Sequence, residues 1–245
     1  MRFPGIVAIV GMCGLQAQAQ ECLSGADLAA GIAVSTQDGR VYAVRQAAGG
    51  DVAVSMARQA GRDGLFSQMT FAKGVYMTRD VATEVSDSPD SADGEVVVGG
   101  NDGGVIDERH AYPRNAPVPV AGKSWRGTVK YTRDQDGPSI GPQPQITARL
   151  LADYQFLAEK SVTISGCAYR VIPVELTLQV TAQSRARAEG APVGWFEDSI
   201  DRSYLTRRLI YFPDIGFSVI TRESSDMDAG GMEQNGITGL VRAGG

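Results

Sequence analysis

Histidine and cysteine are the scarcest chemistry-bearing residues of this 245-residue chain, which holds one histidine, His110, and three cysteines, Cys13, Cys22 and Cys167. One histidine leaves little for a histidine-based metal site and makes His110 the sole base available to a Ser-His-Asp triad. Three cysteines are too few for a disulfide-dense miniprotein. Basic excess is also missing: 23 Lys and Arg against 28 Asp and Glu give a net charge of -5, so no nucleic-acid partner is expected. The longest apolar run, Phe3 to Leu15, is shorter than the roughly 20 residues of a membrane-spanning helix. No G-x-S-x-G, H-E-x-x-H, Walker-type phosphate loop or dinucleotide fingerprint occurs. The motif-bearing hydrolases, metalloproteases and nucleotide enzymes are thereby disfavoured, and no cofactor is expected.

What is present starts with a leader. Met1 and Arg2 precede the apolar run, and Ala17-Gln18-Ala19 ends it in the small-x-small pattern of a secretory cleavage site, so residues 1–19 read as a signal peptide. Cys13 follows Met12 rather than a small residue, which argues against lipidation. Cleavage would leave a net charge of -6, no transmembrane segment and two cysteines, Cys22 and Cys167. In a periplasmic or secreted protein such a pair is most simply one disulfide, two free thiols being the alternative.

Periodicity points to a mainly β chain: an antiparallel meander forming one curved sheet or partial barrel, with a long acidic and Pro-rich insertion. Residues 20–83 contain five candidate strands: Ile32 and Val34, Val41 to Arg45, Val52 to Met56, Leu65 to Phe71, and Val75 to Val81. They are joined by turns such as Asp38-Gly39. Residues 84–122 hold eight acids up to Glu108 with no Lys or Arg, then Pro113, Pro117 and Pro119, and read as a disordered linker. Strand patterns resume over 123–223. Residues 146–160 fit either a helix or a strand, and neighbouring strands favour the strand. Ile172, Val174, Leu176, Leu178 and Val180 alternate with polar residues as a half-buried strand, and Pro173 marks an irregular point in its ladder. Residues 224–245 read as a disordered Gly-rich tail.

The chemistry-bearing candidates are weak. His110 lies in the acidic stretch and reads as a solvated loop residue. Calcium would want several carboxylates on one rigid loop. Asp134 with Asp136, the set Asp87, Asp90, Asp93 and Glu95, and Asp226 with Asp228 offer charge without that frame. Glu175, Glu197, Asp198 and Asp201 could supply the paired carboxylates of a hydrolase, but nothing selects a pair. Arg207 and Arg208 fall on opposite faces of a strand and read as charged protection of a sheet edge.

Gly166-Cys167-Ala168-Tyr169 with Val174-Glu175, followed by Tyr211-Phe212-Pro213-Asp214-Ile215-Gly216-Phe217, resembles segments shared by uncharacterised exported proteins of Gram-negative bacteria. The resemblance spans about residues 123–222. It implies an antiparallel sheet similar to the lipoprotein-carrier half-barrel and a periplasmic address, and carries no catalytic residues. The expected function is a non-catalytic binding or envelope-associated module, with an envelope protein or an apolar small molecule as partner. Ile172, Val174, Leu176 and Leu178 would line an apolar cavity or fill an ordinary core. The rivals are a secreted carboxylate-dependent hydrolase and a calcium-binding surface protein.

Overall fold

The computed structural model describes residues 22–60, 63–86, 105–136, 145–185, 204–225 and 236–243. Their secondary structure is almost entirely strand. The first five are β1 (Ile32–Thr36), β2 (Val41–Gln46), β3 (Val52–Ala60), β4 (Asp63–Ala72) and β5 (Tyr76–Ser86). Then come β6 (Val105–Ala111), β7 (Ser124–Asp136), β8 (Ile146–Phe156) and β9 (Lys160–Ile164). The last four are β10 (Cys167–Arg185), β11 (Tyr204–Phe212), β12 (Phe217–Ser225) and β13 (Ile237–Arg242). One four-residue helix, α1 (Asp27–Ala30), precedes them.

Twelve strands pair antiparallel in the order β12-β11-β10-β8-β7-β6-β5-β4-β3-β2-β1-β13, and β9 attaches to the first part of β10. The path follows the chain like a meander, and its ends, β12 and β13, are consecutive strands. The sheet therefore curls into a nearly closed, barrel-like form. Packing across the interior links distant strands: the Tyr42 hydroxyl on β2 donates to the Ile220 carbonyl on β12 at 3.4 Å, and the Ser218 hydroxyl on β12 donates to the Gly74 carbonyl.

Period-two alternation explains which way the sheet curls. Ile32, Val34, Tyr42, Val44, Val52, Val54, Met69, Phe71 and Val129 face inward and are nearly inaccessible, as are Leu150, Tyr154, Val174 and Leu176. The outward positions of β7, β8 and β10 carry Arg126, Lys130, Asp153, Gln155, Glu175 and Gln179. A lipid-facing barrel shows the reverse, an apolar outer band. Among the described residues no helix is long and apolar enough to cross a membrane.

Segment 22–31 lies across one end of the barrel. Cys22 is disulfide-bonded to Cys167 at the start of β10, with the two Cα atoms 5.5 Å apart. The Leu23 amide donates to the Tyr169 hydroxyl at 3.1 Å, and Asp27 pairs with Arg242 of β13 at 2.6 Å. Pro173 sits where the neighbour of β10 changes from β9, paired up to Val171, to β8, paired from Val174. A residue without an amide hydrogen fits that break in the ladder.

Two expectations need correction. The stretch 84–122 is no wholly disordered linker: β5 reaches Ser86, and β6 lies between β5 and β7. Among its described acids Asp107 pairs with Arg79 at 2.9 Å and with Arg109 at 2.6 Å. Its Pro-rich part is held too, since the Tyr76 hydroxyl donates to the Pro117 carbonyl at 2.8 Å and Ala116 and Pro119 are buried. The tail holds β13, fixed by its ladder to β1 and by Leu240, which is 1% exposed. On β11 the side chains of Arg207, Leu209 and Tyr211 are buried, and Phe212 at its end is buried too. Residues 146–156 form a strand. The boundary between two β regions has no counterpart in the pairing, which runs through all of them as one sheet.

Gly74 marks the tightest backbone approach. Its φ is +69°, and a Cβ there would stand 2.1 Å from the Gly216 carbonyl oxygen. Gly39 has φ +79° with open space around it. Gly74→Ala is expected to cost about 3 kcal/mol or more and Gly39→Ala about 1 kcal/mol. Urea unfolding of the two variants checks the ranking, and equal costs would contradict the packing of the β4–β5 turn on the β11–β12 turn.

Candidate functional site

The interior is not apolar throughout. Strand register places Asp80 of β5 opposite Glu108 of β6, Glu108 opposite Arg133 of β7, and His110 opposite Tyr131. On the other wall Arg207 of β11 stands between Leu176 of β10 and Glu223 of β12. The Arg207 side chain reaches across the barrel, its Nη1 lying 3.5 Å from the Met77 sulfur while its Nε donates to Glu223. These residues form one charged layer inside the sheet. It lies above a cluster of rings, in which Tyr76, Tyr112, Trp125 and Tyr154 have centroids 4.9 to 6.2 Å apart.

The layer is graded in exposure. Arg207 is 6% and His110 5% exposed. The side chains of Glu108, Arg133 and Glu223 are 24%, 34% and 40% exposed. The layer lies toward the end of the barrel away from segment 22–31, and Glu108, Arg133 and Glu223 are its more exposed members. An isolated buried guanidinium would be costly. Burial does oppose the Arg207 charge, but Glu223, Asp80 and Glu108 outweigh it and keep the group protonated. Burial also pushes the Asp80 carboxyl up, against the hydrogen bond it accepts from Ser67. The Tyr131 hydroxyl donates to Glu108 at 2.7 Å.

His110 is the main surprise. It is no solvated loop residue but an inward-facing member of β6, its ring 5.1 Å from that of Tyr131. Desolvation, aided by the Arg207 charge, lowers its pKa to about 3, so the imidazole is neutral at ordinary pH. Its Nδ1 is buried without a hydrogen-bond partner, and so is Nε of Arg133 in the same layer. Buried polar atoms are nearly always satisfied, so two orphans in one layer call for an explanation.

The other predicted residues fall elsewhere. Cys22 and Cys167 form the disulfide. Ile172, Val174, Leu176 and Leu178 are all in the core cluster, at 1 to 4% exposure. Glu175 points outward and pairs with Arg208 at 3.0 Å. Arg207 does not guard an edge, because β11 lies between β10 and β12 and its side chain points inward. Asp134 accepts from Gln145 at 2.7 Å. Asp87, Asp90, Asp93, Glu95, Glu197, Asp198, Asp201, Asp226 and Asp228 lie outside the described residues. Among the described residues no group of three or more His, Cys, Asp or Glu is placed to hold a metal ion.

Asp80, Glu108, Arg133 and Glu223 are members of the layer that sequence reasoning missed. The available signal was alternation: Ile106, Glu108 and His110 share one face of a strand, and Arg207 and Arg208 cannot both face water. Comparison with family models, curated proteins and solved structures finds no match to this chain.

A histidine held neutral in the folded state disfavours acid. Between pH of about 3 and the ordinary histidine value of about 6.5 the unfolded chain binds the extra proton, so His110 makes stability rise with pH in that window. Asp80 acts oppositely, its raised carboxyl pKa favouring the folded state at low pH and losing that contribution as pH rises through it. His110→Gln is expected to remove up to about 3 kcal/mol of the pH 4 to 7 change in unfolding free energy. Denaturant titrations of both proteins check it, and an unchanged pH slope would mean that His110 is solvated.

Proposed function

We propose that this protein is a non-catalytic binding module working outside the cytoplasm, whose ligand is a small polar molecule reaching the charged layer from the end of the barrel away from segment 22–31. The observation that carries the reading is the pair of unsatisfied buried nitrogens, His110 Nδ1 and Arg133 Nε, in a charged layer whose Glu108, Arg133 and Glu223 side chains are partly exposed. Open ends of β-barrels are common ligand sites, and strongly perturbed ionisable groups cluster at functional ones. The ligand offers an acceptor to Arg133 Nε and a hydrogen-bonding atom to His110 Nδ1. An apolar ligand fits less well, because Ile172, Val174, Leu176 and Leu178 pack into the core.

Export is supported by the leader-like residues 1–19 and by the Cys22–Cys167 disulfide, a bond that persists in oxidising compartments. An envelope location agrees with the resemblance over residues 123–222. A second reading, carboxylate-dependent hydrolysis, is favoured only by the facing of Asp80, with its raised pKa, and Glu108.

His110 is a unique spectroscopic reporter. Acetate, glycine and glucose, as carboxylate, zwitterion and polyol probes at millimolar concentration, are added while its ring resonances are followed by NMR. At least one is expected to shift them, and Arg133→Met is expected to abolish that response. Resonances unmoved by all three would overturn the binding reading, while hydrolysis of a simple glycoside lost in Asp80→Asn would favour the second. Native protein keeping residues 1–19, or alkylated at both Cys22 and Cys167 without reductant, would overturn export.

A further inference from the structure

The outer face of β7, β8 and β10 carries a separate feature. Arg126, Asp153 and Thr177 stand side by side on one rung of the sheet. Gln155 and Glu175 pair on the rung to one side, Leu151 and Gln179 on the rung to the other. Neighbouring strands lie about 4.8 Å apart, and same-face residues along a strand about 7 Å apart. The middle rung holds two short side chains, Asp153 and Thr177, with longer ones on both sides. The surface is consequently hollowed, and a cavity of about 340 Å³ lies over these residues.

Four of its polar side chains are uncommitted. Among the described residues the side chains of Arg126, Asp153, Gln155 and Thr177 make no hydrogen bond or ion pair with one another or with a neighbour, while Glu175 is held by Arg208 at 3.0 Å. Adjacent free groups of this kind usually pair across a sheet. Here Arg126 and Asp153 are cross-strand partners and stay apart.

We propose that this depression is a saccharide-binding site, on grounds independent of the interior layer. A sugar hydroxyl both donates and accepts, and the lining supplies every complement: a donor in Arg126, an acceptor in Asp153, and groups that do both in Gln155 and Thr177. The planar carboxylate, amide and guanidinium suit pairs of vicinal hydroxyls. Leu151 gives one apolar patch against which the C–H face of a ring can rest. Other ligands match less well. Carboxylates at Asp153 and Glu175 repel polyanions, one leucine is too little for a lipid, and two carboxylates make no metal site.

Tetrasaccharides of glucose and of N-acetylglucosamine are titrated into the full, disulfide-intact protein, with triglycine as a zwitterionic control, and backbone amides are followed by NMR. Shifts confined to β7, β8 and β10 are expected with at least one saccharide. Asp153→Ala combined with Gln155→Ala is expected to weaken binding by about tenfold or more, leaving His110 ring resonances in place as evidence of an intact fold. Failure of both saccharides, shifts with triglycine alone, or undiminished binding by the double variant would overturn the proposal. None of these outcomes bears on the interior layer, whose own reporter is His110.

Discussion

Side-chain alternation on a sheet whose apolar face must leave water is the constraint from which the rest follows. Most strands from β1 to β8 present mainly apolar residues inward and mainly polar ones outward, with Asp80, Glu108, His110 and Arg133 on β5, β6 and β7 as inward exceptions. With scarcely any helix to cover the apolar face, the sheet covers it with itself by curling. Tyr42 reaching Ile220, and Ser218 reaching Gly74, are the contacts by which opposite walls meet. Charged residues within the enclosed face then stand out, because the same constraint should exclude them.

The two ends of the barrel are not equivalent, and covalent chemistry creates the difference. Segment 22–31 is held over one end by the Cys22–Cys167 bond, by the Leu23 amide on Tyr169 and by Asp27 on Arg242. That end is filled by Leu23, Leu28, Tyr169, Phe212 and Phe217, all in the core. Toward the other end the rings of Tyr76, Tyr112 and Tyr154 give way to His110, Arg207, Asp80 and Glu108. Charged side chains thus enter the interior away from the bonded segment, with Leu178, buried on the same face, lying beyond Arg207 along the β10–β11 ladder.

Local patterns made much of this legible before the structure. Five strands before residue 84, the turn at Asp38-Gly39, the half-buried strand through Ile172 to Val180 and the pairing of Cys22 with Cys167 are all short-range or arithmetical signals. Composition misled where long-range pairing decided the outcome. Asp107 and Glu108 look like solvated acids until Arg79 and Tyr131, on neighbouring strands, are seen to hold them. Ile237 to Arg242 looks too sparse to order until β1 supplies a ladder. The site was illegible for the same reason: Arg207, Met77 and His110 are brought together only by sheet closure.

Buried charge clusters seldom contribute net stability, and apolar side chains of similar volume often do better in their place. If the interior layer exists to receive a ligand, it is retained at the expense of stability. The direct measurement is the unfolding free energy of the combined variant Arg207→Met, Glu223→Met and Asp80→Leu. The account predicts a value equal to or above that of the unaltered protein. A loss of more than about 3 kcal/mol would contradict it, since the layer would then be a structural element of the core and not a site.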